Sequence, residues 1–397
     1  MNDQYTPDLT VQNPRVGQGL KIVALIIVTL LLFGLVGLGY ICLMYLFSVW
    51  NSGRNARGFH DISTSKASRL GGLVGSLIFI SYYLTLVFFA PYPPGTALSS
   101  NAGFWNYIGI HPLSAAEAMG PTDIFYQWSA IFICAMLGLR KDFEPDYLSP
   151  KLRLAVSALI FGGLLYLVPS LIPRSLSVPG LDQLLQIDSL AWAIMVAWCI
   201  FFVHGFKRID KANGLVPGIA TFAMIVFFII YGHPAEAALL LSCAIFLLFN
   251  VTFGRLFFGD MGSFALGAIF VTYALEGLAQ GHFSMAFMLA LFAYPCVDFA
   301  FSIGRRLANK RSLFAADNGY LHNLIYSWLK ASRGPTLLAN SLTGLLISCS
   351  SSGLVLIGFL LQWWPVTSGE WMWLFGLQVF IYWLVWVMLT RAGYVAD

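Results

Sequence analysis

Apolar runs of 18 residues or more recur from one end of the chain to the other, broken by short connections that carry most of its charge, Gly and Pro. A hydrocarbon layer of about 30 Å takes roughly 20 consecutive apolar residues in helical form. Inside that layer only helices and closed barrels can satisfy their own backbone polar groups. The pattern therefore predicts an all-α fold, a polytopic membrane helix bundle of about eleven transmembrane helices, at 21–49, 70–90, 124–139, 152–172, 188–203, 215–231, 235–253, 263–280, 283–303, 337–361 and 371–390. The first run, 21–50, is longer than a signal-peptide core and is followed by no small-residue cleavage site, so it reads as a retained span. Residues 1–397 form a single integral membrane domain in this reading, with a short tail at 1–20 and a cytoplasmic loop at 304–336.

Composition narrows the choice further. With 58% hydrophobic and only 10% charged residues, the 397-residue chain leaves no stretch for a sizeable soluble domain. Charge then sets a direction. Alternate connections hold all of the 22 Lys and Arg residues except Arg15, Lys21 and Arg174. The positive-inside rule places the rich side in the cytoplasm, the N-terminus outside and the C-terminus inside. The connection at 91–123 has no Lys or Arg, so polar chemistry is concentrated on the inner face. Cys42, Cys134, Cys199, Cys243, Cys296 and Cys349 lie singly in apolar segments, which argues against a disulfide framework or zinc site. No internal repeat is visible, which disfavours a transporter of duplicated halves. No nucleic-acid partner is expected.

Five polar residues stand at the cytoplasmic helix ends or the loops that join them: Asp142 in GLRKDFEPD, Asp210 in HGFKRIDKANGL, Asp260 in FFGDMGS, Asp298 in YPCVDFAFSIGRR and His322 in DNGYLHNLIY. Taken singly, each Asp is most simply a helix cap or an anchor. Together, acids at bilayer depth tend to face a bundle interior or an aqueous cavity. Three Asp residues emerging at one face among basic loops could hold Mg²⁺, which uses one or two carboxylates plus substrate phosphates. Neighbouring Arg and Lys would balance a diphosphate. Gly259 and Gly262, flanking Asp260, remove side-chain bulk where a helix begins, so a ligand could approach the backbone there. In Arg57-Gly58-Phe59-His60 and Ser68-Arg69-Leu70-Gly71-Gly72, basic residues precede a Gly pair, which also suits a plain basic anchor and turn.

The order of these motifs resembles the polyprenyl-phosphate N-acetylhexosamine-1-phosphate transferases, from about residue 57 to 333. FNVTFGRLFFGDMGSFALG is similar to the family's F-N-x-x-x-x-(K/R)-(I/L)-F-x-G-D-x-G-S-x-x-L-G. The stretch from Asp298 through Arg305-Arg306 and Arg311-Ser312 to Asp317 and Leu321-His322 is similar to D…R-R…R-S-P…D-x-x-H-L-H. The resemblance implies a multi-pass enzyme of the bacterial cytoplasmic membrane, dependent on Mg²⁺ with Mn²⁺ as the other candidate. It would join a UDP-N-acetylhexosamine to a polyprenyl phosphate, release UMP and start a cell-envelope polysaccharide. It further implies Asp260 as metal ligand, Asp142, Asp210 and His322 as catalytic residues, and Arg57, His60, Arg69, Asn213, Asn250, Arg311 and Asp317 as substrate contacts. A homodimer is a further candidate assembly.

Four positions depart from the family pattern. Lys141 occupies the first Asp of its Asp-Asp pair, Lys207 an Asn, Lys211 a Gly, and Tyr320 the first His of H-x-H. Charge reversal beside an anionic substrate could aid binding while removing a metal ligand or base. The alternative reading is thus a catalytically degenerate member that serves as a membrane binding or assembly protein.

Overall fold

The computed structural model describes residues 14–50, 67–89, 120–144, 149–178, 180–312, 319–333 and 336–394. These segments are predominantly helical, and among the described residues the one β-type pairing is an isolated parallel bridge between Ser68 and Leu256. In chain order the helices are α1 (Pro14–Trp50), α2 (Gly71–Phe89), α3 (Pro121–Phe143), α4 (Pro150–Leu167), α5 (Leu181–Leu185), α6 (Asp188–Arg208), α7 (Leu215–Tyr231) and α8 (Pro234–Phe253). They continue with α9 (Gly259–Ala279), α10 (Met285–Leu291), α11 (Ala293–Ala308), α12 (Leu321–Arg333), α13 (Thr336–Ser348), α14 (Leu354–Leu360) and α15 (Trp371–Arg391). Among the described residues seven helices are long and apolar enough to cross a membrane, and an eighth span arises if α10 and α11 count as one broken segment. Phe33–Val49, Gly71–Thr85 and Leu215–Tyr231 are shorter apolar helices. The chain is a multi-pass membrane protein.

α9 forms the axis of the bundle. Nearly all of it is buried, against α2, α3 and α6. Lipid tails give no hydrophobic drive for one helix to meet another, so close van der Waals packing must hold them. Small residues make that packing fit: a Cβ at Gly138 would lie 2.6 Å from Met261 Cα, and one at Gly267 would lie 3.1 Å from Val203 Cα. α15 shows the opposite pattern, with Trp373, Phe380 and Trp383 exposed, as suits a helix at the bundle's edge.

Two expectations from the sequence are modified. The run expected to cross as 283–303 is broken into α10 and α11, bent by 82° at Phe292. Pro295 explains the break, since it lacks an N–H and its ring clashes with the carbonyl four residues back, Leu291, where α10 stops. The expected loop at 304–336 contains α12, which packs against α13 and α15. By contrast, 337–361 is one span, α13 running into α14 through a wider π turn at Cys349–Gly353.

Candidate active site

The start of α9 gathers the acids that lie far apart in sequence. Gly259 takes φ +69°, where a side chain would be strained, and its N–H donates to Asp210 Oδ2 at 2.8 Å. Asp260 N–H donates to Asp142 Oδ1 and Met261 N–H to Asp142 Oδ2, each at 2.8 Å. Three N–H groups of the first turn, which have no partner within the helix, are therefore closed by oxygens of two acidic side chains. The backbone that the sequence seemed to offer to a ligand is already occupied by the protein's own acids. A short ladder fixes the loop before it: Ser68 N–H to Arg255 O, Phe257 N–H to Ser68 O, and Gly71 N–H to Phe257 O.

Asp260 itself turns the other way, into a ring of cations. Its Oδ2 pairs with Lys141 Nζ, lies 2.9 Å from Lys207 Nζ and is 3.8 Å from Arg153 Nη1. Neighbours on a helix differ by about 100° in direction. Lys141 thus reaches Asp260 while Asp142, the next residue, caps α9. These groups border a cavity of about 600 Å³. Arg69, Arg208 and Lys211 also line it, and the rest of the lining is largely apolar, with Leu154, Ala197, Ile200, Phe201, Phe299 and Ile303; the Arg208 guanidinium lies 6.0 Å from the centre of the Phe299 ring. Burial pushes the Asp210 carboxyl up to about 8, against the pull of the Gly259 N–H bond, with Asp142 adding to the rise.

The other expected site residues take different places. Asn213 and Asn250 tie chain segments together: Asn213 N–H donates to Asn340 Oδ1 at 2.6 Å, Gly214 N–H to Asn250 Oδ1 at 2.6 Å, and Asn250 Nδ2 to Leu256 O at 2.7 Å. Neither lines the cavity. His322 is fully buried, its Nδ1 2.9 Å from the Tyr294 hydroxyl and its ring stacked on Tyr320. Burial, with Lys211 nearby, holds its imidazole well below the usual range and therefore neutral. Asp298 accepts from the Tyr382 hydroxyl at 2.8 Å and from Leu321 N–H at 3.2 Å. Arg69 lines the cavity, whereas Arg311 is exposed and does not. Arg57, His60 and Asp317 lie outside the described residues.

Tyr320, in place of a family His, has a clear structural role. Its hydroxyl accepts from Arg208 Nη1 at 2.8 Å and Arg306 Nη2 at 3.1 Å, and Lys211 Nζ sits 5.1 Å above its ring. Arg153 and His204 also border the cavity and were not singled out from the sequence. Arg153 stands in the first turns of α4, one of several basic residues at helix ends, and no spacing distinguishes it.

The donor set does not suit a divalent cation on Asp260. Asp142 gives both oxygens to the α9 backbone and Asp210, which lines the cavity, gives one, while the remaining carboxylate is ringed by three positive side chains. Among the described residues no three His, Cys, Asp or Glu cluster in a way that could hold a metal.

An all-helical membrane protein with a cleft lined by cations and apolar side chains is the class that fold and site define. Residues 124–301 match the model of glycosyl transferase family 4, in keeping with the resemblance read from the motifs. The probable undecaprenyl-phosphate N-acetylglucosaminyl 1-phosphate transferase of Bacillus subtilis is 26% identical over 184 residues, 44% of this chain and 51% of that protein. The undecaprenyl-phosphate alpha-N-acetylglucosaminyl 1-phosphate transferase of Thermotoga maritima is 28% identical over 129 residues, 32% and 41% of the two chains. A phospho-N-acetylmuramoyl-pentapeptide-transferase of Lacticaseibacillus paracasei is 27% identical over 170 residues, 37% and 51%. The chain spans about half the length, or less, of these relatives.

Proposed function

We propose that the protein transfers a sugar-1-phosphate from a UDP-N-acetylhexosamine to a polyprenyl phosphate at the cytoplasmic face of a bacterial inner membrane, initiating a cell-envelope polysaccharide. The observation that carries this reading is the mixed lining of the cavity. Its apolar side chains on α4, α6 and α11 suit a polyprenyl chain that must stay in hydrocarbon, and the cations beside them, Arg153 on α4 and Lys207 and Arg208 on α6 among them, suit the phosphate that chain carries. The names of the similar proteins support the same acceptor.

In this reaction an oxygen of the lipid phosphate attacks the β-phosphorus of the nucleotide sugar. The P–O bond to UMP breaks as the new diphosphate bond forms, and UMP leaves with the electron pair. Such transfer asks a protein mainly for positioning and for compensation of oxyanion charge. Lys141, Lys207 and Arg153 supply positive charge beside Asp260, and Arg69, Arg208 and Lys211 extend it along the cleft. Asp142 and Asp210 act through α9, holding the helix end that presents Asp260.

The test is UMP release by the purified chain from UDP-N-acetylhexosamines with undecaprenyl phosphate. Release dependent on the lipid is expected, and none across the common donors rejects the transferase. A second reading rests on the charge reversals at Lys141 and Lys207: a member that binds lipid phosphate without turning it over. Binding of undecaprenyl phosphate with no UMP release would favour it.

A further inference from the structure

We propose that the ammonium groups of Lys141 and Lys207 stand in for a divalent cation on Asp260, so that the cleft binds a phosphate or diphosphate anion without metal. The inference rests on the functional reading above and deepens it. Two ammonium groups carry the same formal charge as one divalent cation, and both meet the same carboxylate oxygen, Asp260 Oδ2. The field an incoming phosphate meets is therefore that of a metal-loaded carboxylate, supplied by side chains that cannot dissociate from the chain.

The geometry makes the substitution exclusive. A Mg²⁺ ion binds oxygen at about 2.0–2.1 Å and demands a near-octahedral shell. On Asp260 Oδ2 it would have to share an oxygen with Lys207 Nζ at 2.9 Å and with Lys141 Nζ, both of like charge. Of the neighbouring acids that could complete its shell, Asp142 is held through both oxygens and Asp210 through one by the α9 backbone. Lys207 is kept in place from behind, its Nζ 5.0 Å from the centre of the Phe264 ring. An ammonium group also brings up to three N–H donors, so part of this set remains for an anion after the Asp260 pair is made. Arg153, only 3.8 Å from Asp260, adds a planar donor suited to phosphate oxygens.

The phosphate could belong to a lipid headgroup or arrive free in water. The apolar lining favours the lipid, and the test separates the two sources. Undecaprenyl phosphate and inorganic phosphate are each titrated against the full chain in detergent, with excess EDTA or with millimolar Mg²⁺. Lipid-phosphate affinity that agrees within about twofold in the two buffers is the expected result. Exchanging the cations for the family's residues, Lys141→Asp with Lys207→Asn, should weaken binding in EDTA by about tenfold or more and let Mg²⁺ restore it. If that variant does not fold, Mn²⁺ spin resonance on the unaltered protein serves instead, and a bound Mn²⁺ signal quenched by Mg²⁺ overturns the inference. Wild-type binding that requires Mg²⁺ overturns it while leaving the transferase reading intact. Inorganic phosphate binding in EDTA as tightly as the lipid supports the metal-free anion site and refutes the contribution of the apolar lining. Failure of both probes in both buffers removes the inference and the functional reading together.

Discussion

Removing the Asp142 carboxylate tests how α9 is held. Its two oxygens accept from two successive backbone N–H groups, Asp260 and Met261, both at 2.8 Å, and the side chain is almost wholly buried. A hydrogen bond to a charged group contributes about 1.5–3 kcal/mol. The pair would thus sum to about 3–6 kcal/mol, and because the two share one carboxylate the lower half of that range is the better expectation. Asp142→Ala strands two buried donors. Asp142→Asn keeps one acceptor but turns an NH₂ donor toward the other N–H, so it should recover only part of the loss. The assay is thermal unfolding in detergent, followed by tryptophan fluorescence, with all three proteins at one pH. Both variants should melt below the wild type, Ala further than Asn. A wild-type melting temperature for Asp142→Asn would refute the capping argument and return Asp142 to a purely chemical role.

Other expected outcomes follow from neighbouring contacts. Gly259→Ala places a Cβ 2.0 Å from the Arg69 carbonyl oxygen and 2.8 Å from Asp142 Oδ2 on a backbone at φ +69°, and should cost more in detergent melts than the about 1–3 kcal/mol of the backbone strain alone, and more than Ala at the open Gly304. Asn250→Ala leaves Gly214 N–H and Leu256 O without their buried partner. It should lower thermal stability by about 1–3 kcal/mol while the affinity for undecaprenyl phosphate in the surviving folded protein stays unchanged. Asp210 gives a pH dependence. Its folded pKa, about 8, lies above the ordinary carboxylate value, so the folded state keeps a proton that the unfolded state has lost between about pH 4 and pH 8. Stability is thus highest at the acid end of that window and declines as the pH rises through it. Asp210→Asn should flatten that slope in melts from pH 6 to pH 8, and parallel curves for the two proteins would refute the assignment.

What could be read from the sequence is what depends on local spacing. Spanning-length apolar runs announce helices because lipid leaves the backbone no other partner, and α2, α6, α7, α8 and α15 lie close to their expected limits. The GDMGS motif marks the right helix start for the same reason, since its meaning rests on consecutive residues. The break between α10 and α11 was also written locally, in Pro295, but a hydropathy window averages over it.

Tertiary structure decided where the charges go. Asp142 and Asp260 are equally plausible ligands in a linear reading, yet one bonds the backbone of α9 and the other faces Lys141, Lys207 and Arg153. Asn213, Asn250 and His322 match family motifs and serve in the described structure as ties between packed segments. A side chain's partner depends on helix rotation and on neighbours more than a hundred residues away, and both are set by packing around α9. Sequence therefore determined which charged groups stand at the helix ends and the loops between them, and the packed bundle alone determined which of them neutralise each other.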